Sequence, residues 1–414
     1  MNRETIQLPL GWRWAKLGEV IVDSQPGFAC GERDPQGIVQ LRMNNVDTRG
    51  NLVWDDFIRV PSGVNTLSKY QLIAGDVIFN NTNSTKLVGK SAMFTGYSEP
   101  VVYSNHFTRL RVVSDKLTPS YLALWLILQG TLHVFENLCN RWIGQSAVKN
   151  DKLLALEIPL PPLPEQRRIA AILNEQMAAV ERARKAAEEQ LEAAKALIAA
   201  YLRELFESEQ AKLWPKYPLR TMSEIGSGIT LGRRFDNIQT RSVPYLRVAN
   251  VKDGFLDLKD VYIIQVPESD IQKCKLQFGD ILLTEGGDPD KLGRGTYWQD
   301  QIAECIHQNH IYRVRFDLNR FDPRFIAAQI GSPYGKAYFL THAKQTTGIA
   351  TINQKVLGNF PLMCPSIEEQ SMIAAFLKEK QEATTNLVST IEELLKKTTQ
   401  LPQALLKQAF SGEI

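Results

Sequence analysis

Cys305, His307 and His310 fall within six residues of one another in "AECIHQNHIY", a thiol and two imidazoles of the kind that hold zinc. The segment alternates apolar and polar residues with period two, so it reads as a strand, and packing or hydrogen bonding is favoured over a metal site. "GSGITLGRR" (Gly226 to Arg234) resembles a dinucleotide-binding loop, but its glycine spacing is wrong and it reads as a turn. The chain has no complete phosphate loop, no GxSxG, no HExxH, no Asp-Pro-Pro-Tyr or Asn-Pro-Pro-Phe amino-methylation motif and no helicase motor signature. It reads as non-catalytic by itself, with no metal and no cofactor of its own.

The composition bounds what remains. A chain of 414 residues is long for one core, and 44% hydrophobic with 22% charged residues is ordinary for globular domains. No run approaches the roughly 18 apolar residues that a membrane span needs, and "MNRETIQLPLGWRW" has no apolar h-region, so a cytoplasmic protein without a membrane partner is expected. The five cysteines are scattered and odd in number, which argues against a disulfide framework. A net charge of +3 means that any polyanion must be bound by local patches.

The elements that position these residues occur twice. "PPLPEQRRIAAIL" at Pro161 and "CPSIEEQSMIAAFL" at Cys364 share Glu-Gln and Ile-Ala-Ala at the same spacing, displaced by 204 positions. An offset of about 204 also aligns "VQLRMNNV" at Val39 with "PYLRVANV", "LIAGDVIFN" at Leu72 with "LQFGDILLT", and "SNHFTRLRV" at Ser104 with "QNHIYRVRF". The apolar runs and the period-two segments read as strands. "PSYLALWLILQGTLHVFENL" and "PRFIAAQIGSPYGKAYFL" read as short helices. The expected fold is α+β: a mixed α/β domain over residues 1–160, a long helix over 161–210, a second such domain over 211–362 and a second long helix over 363–414.

Residues 165–206 contain no proline or glycine and are rich in Ala, Glu, Lys, Arg and Leu, which gives a rod of roughly 60 Å. Its expected seam includes Ile169, Leu173, Val180, Ala183 and Ala187, with a stutter at Ala187 and Leu191. The second rod offers Ile373, Leu377, Leu387, Ile391, Leu394, Leu401 and Leu405, with Pro402 near its end. A pseudo-two-fold arrangement would pair the rods as an antiparallel coiled coil, with small Ala183 and Ala187 facing Leu387 and Ile391. Ser366 and Glu369 are expected to form a capping box at the start of the second rod.

Together the duplicated domains, the Pro-to-Glu-Gln helix starts, the helix ends "LRELF" and "LKQAF" and the matched strand segments resemble the specificity subunit of Type I restriction-modification systems, over essentially the whole chain. The resemblance implies that each globular domain is a target-recognition domain reading one half of a bipartite, asymmetric site in double-stranded DNA. It implies that the helices fix the gap and dock two methyltransferase subunits, with restriction subunits in the full complex. S-adenosylmethionine, ATP and magnesium would belong to those partners. A related Type II specificity subunit and a bivalent coiled-coil scaffold are the alternatives.

On that resemblance, base-reading side chains are sought on polar loops. "NNTNSTKLVGK" (Asn80 to Lys90) nominates Asn80, Asn81 and Asn83 for bases and Lys86 and Lys90 for phosphates. Its counterpart "TEGGDPDKLGR" nominates Glu285, Lys291 and Arg294. "NRWIGQSAVKN" adds Arg141, Gln145 and Lys149, and "AKQTTGIATINQK" adds Lys344, Gln345 and Thr347. A solvated surface turn is the competing reading of each loop. Arg42 and Arg247 suit phosphate, whereas Asn45 and Asn250 suit turn formation equally well. His106 and His310 read as organising the domain, and Arg109, Arg111, Arg313 and Arg315 as a possible solvated strand face.

Overall fold

Val77-Ile78-Phe79 and Ile281-Leu282-Leu283 follow Gly-Asp turns and are apolar on both faces, so each must lie mid-sheet with protein on either side. In the computed structural model, which describes residues 7–61, 63, 68–233, 238–287, 292–346 and 349–414, with backbone only at 345, 346 and 349, both runs are buried central strands. The chain forms two compact units, one from the residues up to Glu188 with Glu393–Ile414, the other from Glu189–Glu392.

In the first unit an antiparallel sheet runs in the order Ile21–Pro26, Phe107–Val112, Val77–Asn80, Ser91–Met93. The second unit repeats it with Ser223–Ser227, Ile311–Phe316, Ile281–Thr284 and Gly295–Tyr297. The register is equivalent, Ile78 opposite Arg109 and Leu282 opposite Arg313. A mixed three-stranded sheet flanks each, with Ile38–Leu41 parallel to Val101–Tyr103 and Thr240–Leu246 parallel to Ile306–His307. The helices Pro119–Thr131 and Pro323–Gly331, in stretches that read as short helices, cover the main sheets.

The strand arginines are not a solvated face. Arg109 and Arg313 keep only 6% and 5% of their side chains exposed and pair at 2.5 Å with Asp23 and Glu224. Arg111 and Arg315 meet Asp76 and Asp280, the nearly inaccessible carboxylates of the two Gly-Asp turns. A carboxylate buried this deeply needs a partner, and the strand supplies it. Asn45 and Asn250 are buried turn formers: each accepts from the backbone N–H of Arg42 or Arg247 at 2.8 Å and donates to two loop carbonyls.

The two long helices span Leu163–Phe206 and Ile367–Ser411, the second passing through Pro402 without a break. Within the first unit, Ile169, Ala170 and Leu173 share a core with Leu406, Ala409 and Phe410. Within the second, Phe206 and Leu202 share one with Ala374 and Ile373. The start of each helix thus packs on the end of the other, the expected antiparallel pairing.

The seam differs in detail. Ala183 is exposed, and the inward positions run 176, 180, 184, 187, 191, so the double step of four falls one heptad, about two turns, earlier than expected. Arg184 takes the inward place because its stem packs while its guanidinium reaches Glu181 and Glu188. In the second helix Leu387, Leu394 and Leu401 are 43–45% exposed, whereas Thr384, Ile391 and Thr398 are buried. Leu387 is therefore not a seam residue. The capping box is half formed: Ser366 accepts from the Glu369 N–H, but the Glu369 carboxylate accepts from Trp214 and Gln210.

The glutamine of each repeated helix start is a latch. Gln166 is fully buried; its amide nitrogen donates to the carbonyls of Lys116 and Pro161 at 2.8 and 2.9 Å, and its oxygen accepts from the Thr118 N–H at 2.8 Å. Gln370 repeats this with Arg320, Pro365 and Asp322. Replacing Gln166 by Ala strands three buried backbone groups and should cost about 3 kcal/mol. Thermal unfolding should then shift down by roughly 6–12 °C for the first unit, and an unchanged transition would show that the latch carries no load.

Candidate nucleic-acid interface

The two loops nominated separately in each half come together. In the first unit the hairpin Asn140–Trp142/Gln145–Ala147 adds to Thr82–Asn83, with Ser146 opposite Asn83 and Ala147 opposite Thr82. The hydroxyls of Thr85 and Ser146 lie 2.8 Å apart, and the Val148 N–H donates to Asn81 at 2.9 Å. The second unit builds the same small sheet from Lys344–Thr346, Ile349–Thr351 and Gly286–Gly287.

Many of the nominated side chains hold this arrangement rather than face outward. Asn80 is fully buried and donates to the carbonyls of Thr82 and His106 at 3.1 and 2.8 Å. Asn83 donates to Asn80 at 2.6 Å, and Asn81 donates to Thr108 at 3.0 Å. Lys90 closes Gly89-Lys90-Ser91, the ending of a phosphate loop, yet its ammonium binds the carbonyls of Met43 and Val46, and burial pulls its pKa down. Glu285 sits 2.5 Å from the His310 ring and accepts from Tyr312. Arg294 is half-buried, and Arg247 is spent on Asp260 and the Tyr262 ring. Asn80 and Lys90 are thus corrected to scaffold positions, and Asn81, Asn83, Glu285 and Arg247 are engaged inside the fold. Polar residue type does not reveal burial.

The outward positions of the first unit are Lys86, Arg141, Gln145 and Lys149; in the second, Lys344 is exposed. Lys291 and Thr347 lie outside the described residues, as does the side chain of Gln345. Sequence reasoning passed over Trp142 and Ile143, which stand exposed at the hairpin tip although "RWIGQ" carries a turn signal between strand residues.

His307 is buried and its Nδ1 lies 3.1 Å from the Ile311 carbonyl; burial pushes its pKa down to about 4 and the Cys305 thiol up to about 12. Burial, and then Arg42, lowers that of His106. Among the described residues no three His, Cys, Asp or Glu side chains converge on a metal-sized site. No described helix is long and apolar enough to cross a membrane. A cavity of about 520 Å³ in the second unit, lined by Ile198, Leu202, Tyr297, Arg324 and Gly331 among others, lies away from the hairpin sheet.

Comparison with known proteins follows this geometry. The family described as the Type I restriction modification DNA specificity domain matches residues 11–192 and again 211–397. The specificity subunit of the Type I restriction enzyme EcoKI of Escherichia coli K12 is 23% identical over 405 residues, covering 90% of this chain and 82% of that protein. The crystal structure of the HsdS subunit from Thermoanaerobacter tengcongensis superposes over the full length of both chains with TM-score 0.64 at 22% identity. A chain from a structure described as showing complex assembly and conformational transition of the type I R-M system gives 0.67 at 22% identity, covering 99% of this chain and 100% of that one.

Two outcomes follow. Lys86→Ala and Arg141→Ala should each lower the slope of log affinity against log salt by about one for DNA bound with the partner methyltransferase; unchanged slopes would remove both from the interface. Folded His307 takes a proton only near pH 4, whereas the unfolded chain takes it near 6.5. The unfolded state therefore binds more protons between those values, and stability is lost as pH falls through that window, by on the order of 3 kcal/mol. Denaturant unfolding of the second unit from pH 7 to 4 should show this loss, and His307→Phe should remove it.

Proposed function

The chain belongs to the family of Type I restriction-modification DNA specificity subunits, whose domain it carries twice, and from that premise we propose that each globular domain reads one half of a bipartite, asymmetric DNA site. The observation that carries this reading is the hairpin-and-loop sheet, built twice on equivalent pairings from different residues. Shared buried bonds keep the two frames alike, and the unlike outward residues, Arg141 and Gln145 against Lys344, select different bases.

The paired long helices act as the spacer that fixes the unread gap. Ile169 and Leu173 are fully buried between elements of this chain, so methyltransferase docking falls to the apolar residues left outward: Met372, Phe376 and Leu387 in the second unit, Leu394 and Leu401 in the first. Two methyltransferase subunits, joined by restriction subunits in the full complex, supply catalysis together with S-adenosylmethionine, ATP and magnesium; the specificity chain supplies the address.

Mapping methylated adenines in cells that carry this chain and its methyltransferase tests the reading directly. Two unlike short half-sites at one fixed spacing are expected; a palindromic or unspaced target would overturn it. Inserting four residues near Ala187 adds about 6 Å of helix, nearly two base-pair steps of 3.4 Å. Both half-sites should persist with a longer gap, and an unaltered gap would sink the spacer role.

A further inference from the structure

Trp142 and Ile143 occupy the tip of the Asn140–Ala147 hairpin with 61% and 107% of their surfaces exposed. The hairpin beneath them is fixed rather than loose. Gly144 closes the turn at φ +80°, Trp142 pairs with Gln145, and buried Ser146 is tied to Thr85 and set opposite Asn83. Cross-strand partners share a face, so the indole stands beside Gln145, one of the outward candidates for base contact.

The fold does not require this apolar tip. At the 204-residue offset the second hairpin has Thr346, Thr347 and Gly348 where the first has Trp142, Ile143 and Gly144. Its strands nevertheless pair equivalently, Lys344 opposite Thr351 as Asn140 is opposite Ala147. Two side chains are also far too little surface for a protein partner, whose interfaces bury upward of roughly 1,000 Å². The exposed neighbours Arg141, in that hairpin, and Lys149 and Lys86, in the segments that follow strands of its small sheet, are cations, which suits a polyanion.

We propose that the Trp142–Ile143 tip is an apolar wedge that enters the DNA of the first half-site and partly unstacks one base step, a device the second domain lacks. Apolar side chains inserted between base pairs open and kink the duplex, and pyrimidine–purine steps yield most readily. The first domain then reads deformability as well as base edges, and its half-site contains such a step at the wedge. The inference rests on the half-site reading above.

The test uses the full chain bound to its methyltransferase and duplexes carrying the mapped site, with 2-aminopurine replacing in turn each adenine of both half-sites except the methylated ones, which a methyltransferase flips out by itself. Binding should raise the fluorescence at one pyrimidine–purine step and nowhere in the second half-site. Trp142→Thr with Ile143→Thr should abolish that rise and weaken binding at least tenfold while leaving discrimination at the second half-site unchanged. Ile143→Ala alone should reduce the rise, and matched thermal unfolding of the variants secures the comparison. Sequence-specific binding without a rise at any position, or a double variant that binds as tightly as the original, overturns the wedge alone. Absence of sequence-specific binding by the original complex overturns the half-site reading and the wedge with it.

Discussion

A primary amide buried away from water must match its donors and its acceptor within the protein, and Gln166 does so entirely with backbone groups. Two of its partners, Lys116 and Thr118, lie in the turn that leads into the domain's main helix, and the third is Pro161, where the chain leaves the domain. The amide thereby fixes the angle at which the long helix departs from the sheet. Gln370 imposes the same constraint in the second unit. A spacer conveys length only if its ends are seated rigidly, so the distance-setting role proposed for the helices would depend on these two side chains.

From that seat outward, the duplicated bonds divide into two classes. Asp76 with Arg111 and Asp280 with Arg315, the Asn45 and Asn250 turns and the paired glutamines repeat between the units with equivalent partners. All are buried or nearly so, where an unmatched polar atom is costly. The hairpin tips and the loops beside them diverge, because a solvent-facing turn loses little when its side chains change. Divergence on a preserved frame is what reading two different sequences with one architecture requires.

The frame was legible because it rests on periodicity and on an internal repeat, and both survive without knowledge of burial. The interface was legible only as two separate loops, since nothing in "NNTNSTKLVGK" reveals that Asn80 and Lys90 turn inward while Lys86 turns out. Polar type signals the surface only on average, and a loop's own backbone needs partners that Asn and Lys supply well. Trp142 and Ile143 were overlooked for the opposite reason, as apolar residues that expectation places inside. The helix seam misled in the same way. Leu387, Leu394 and Leu401 recur every seven residues and look like a core stripe, yet buried Thr384 and Thr398 line the seam.

The stutter of the seam is itself duplicated. Its double step of four occurs at 176, 180 and 184 in the first helix and at 380, 384 and 388 in the second, the same offset as the paired glutamines. A stutter of this kind locally relaxes the left-handed supercoil without breaking the apolar contact. Four added residues turn a helix by about 400°, only some 40° past a full turn, so a seam that already absorbs one such step can absorb another. One or two added residues would instead rotate everything beyond them by about 100° or 200° and carry the inward face into solvent. Pairing through a stutter would thus let the proposed spacer change length in units of one helical turn while each domain remains seated on its glutamine.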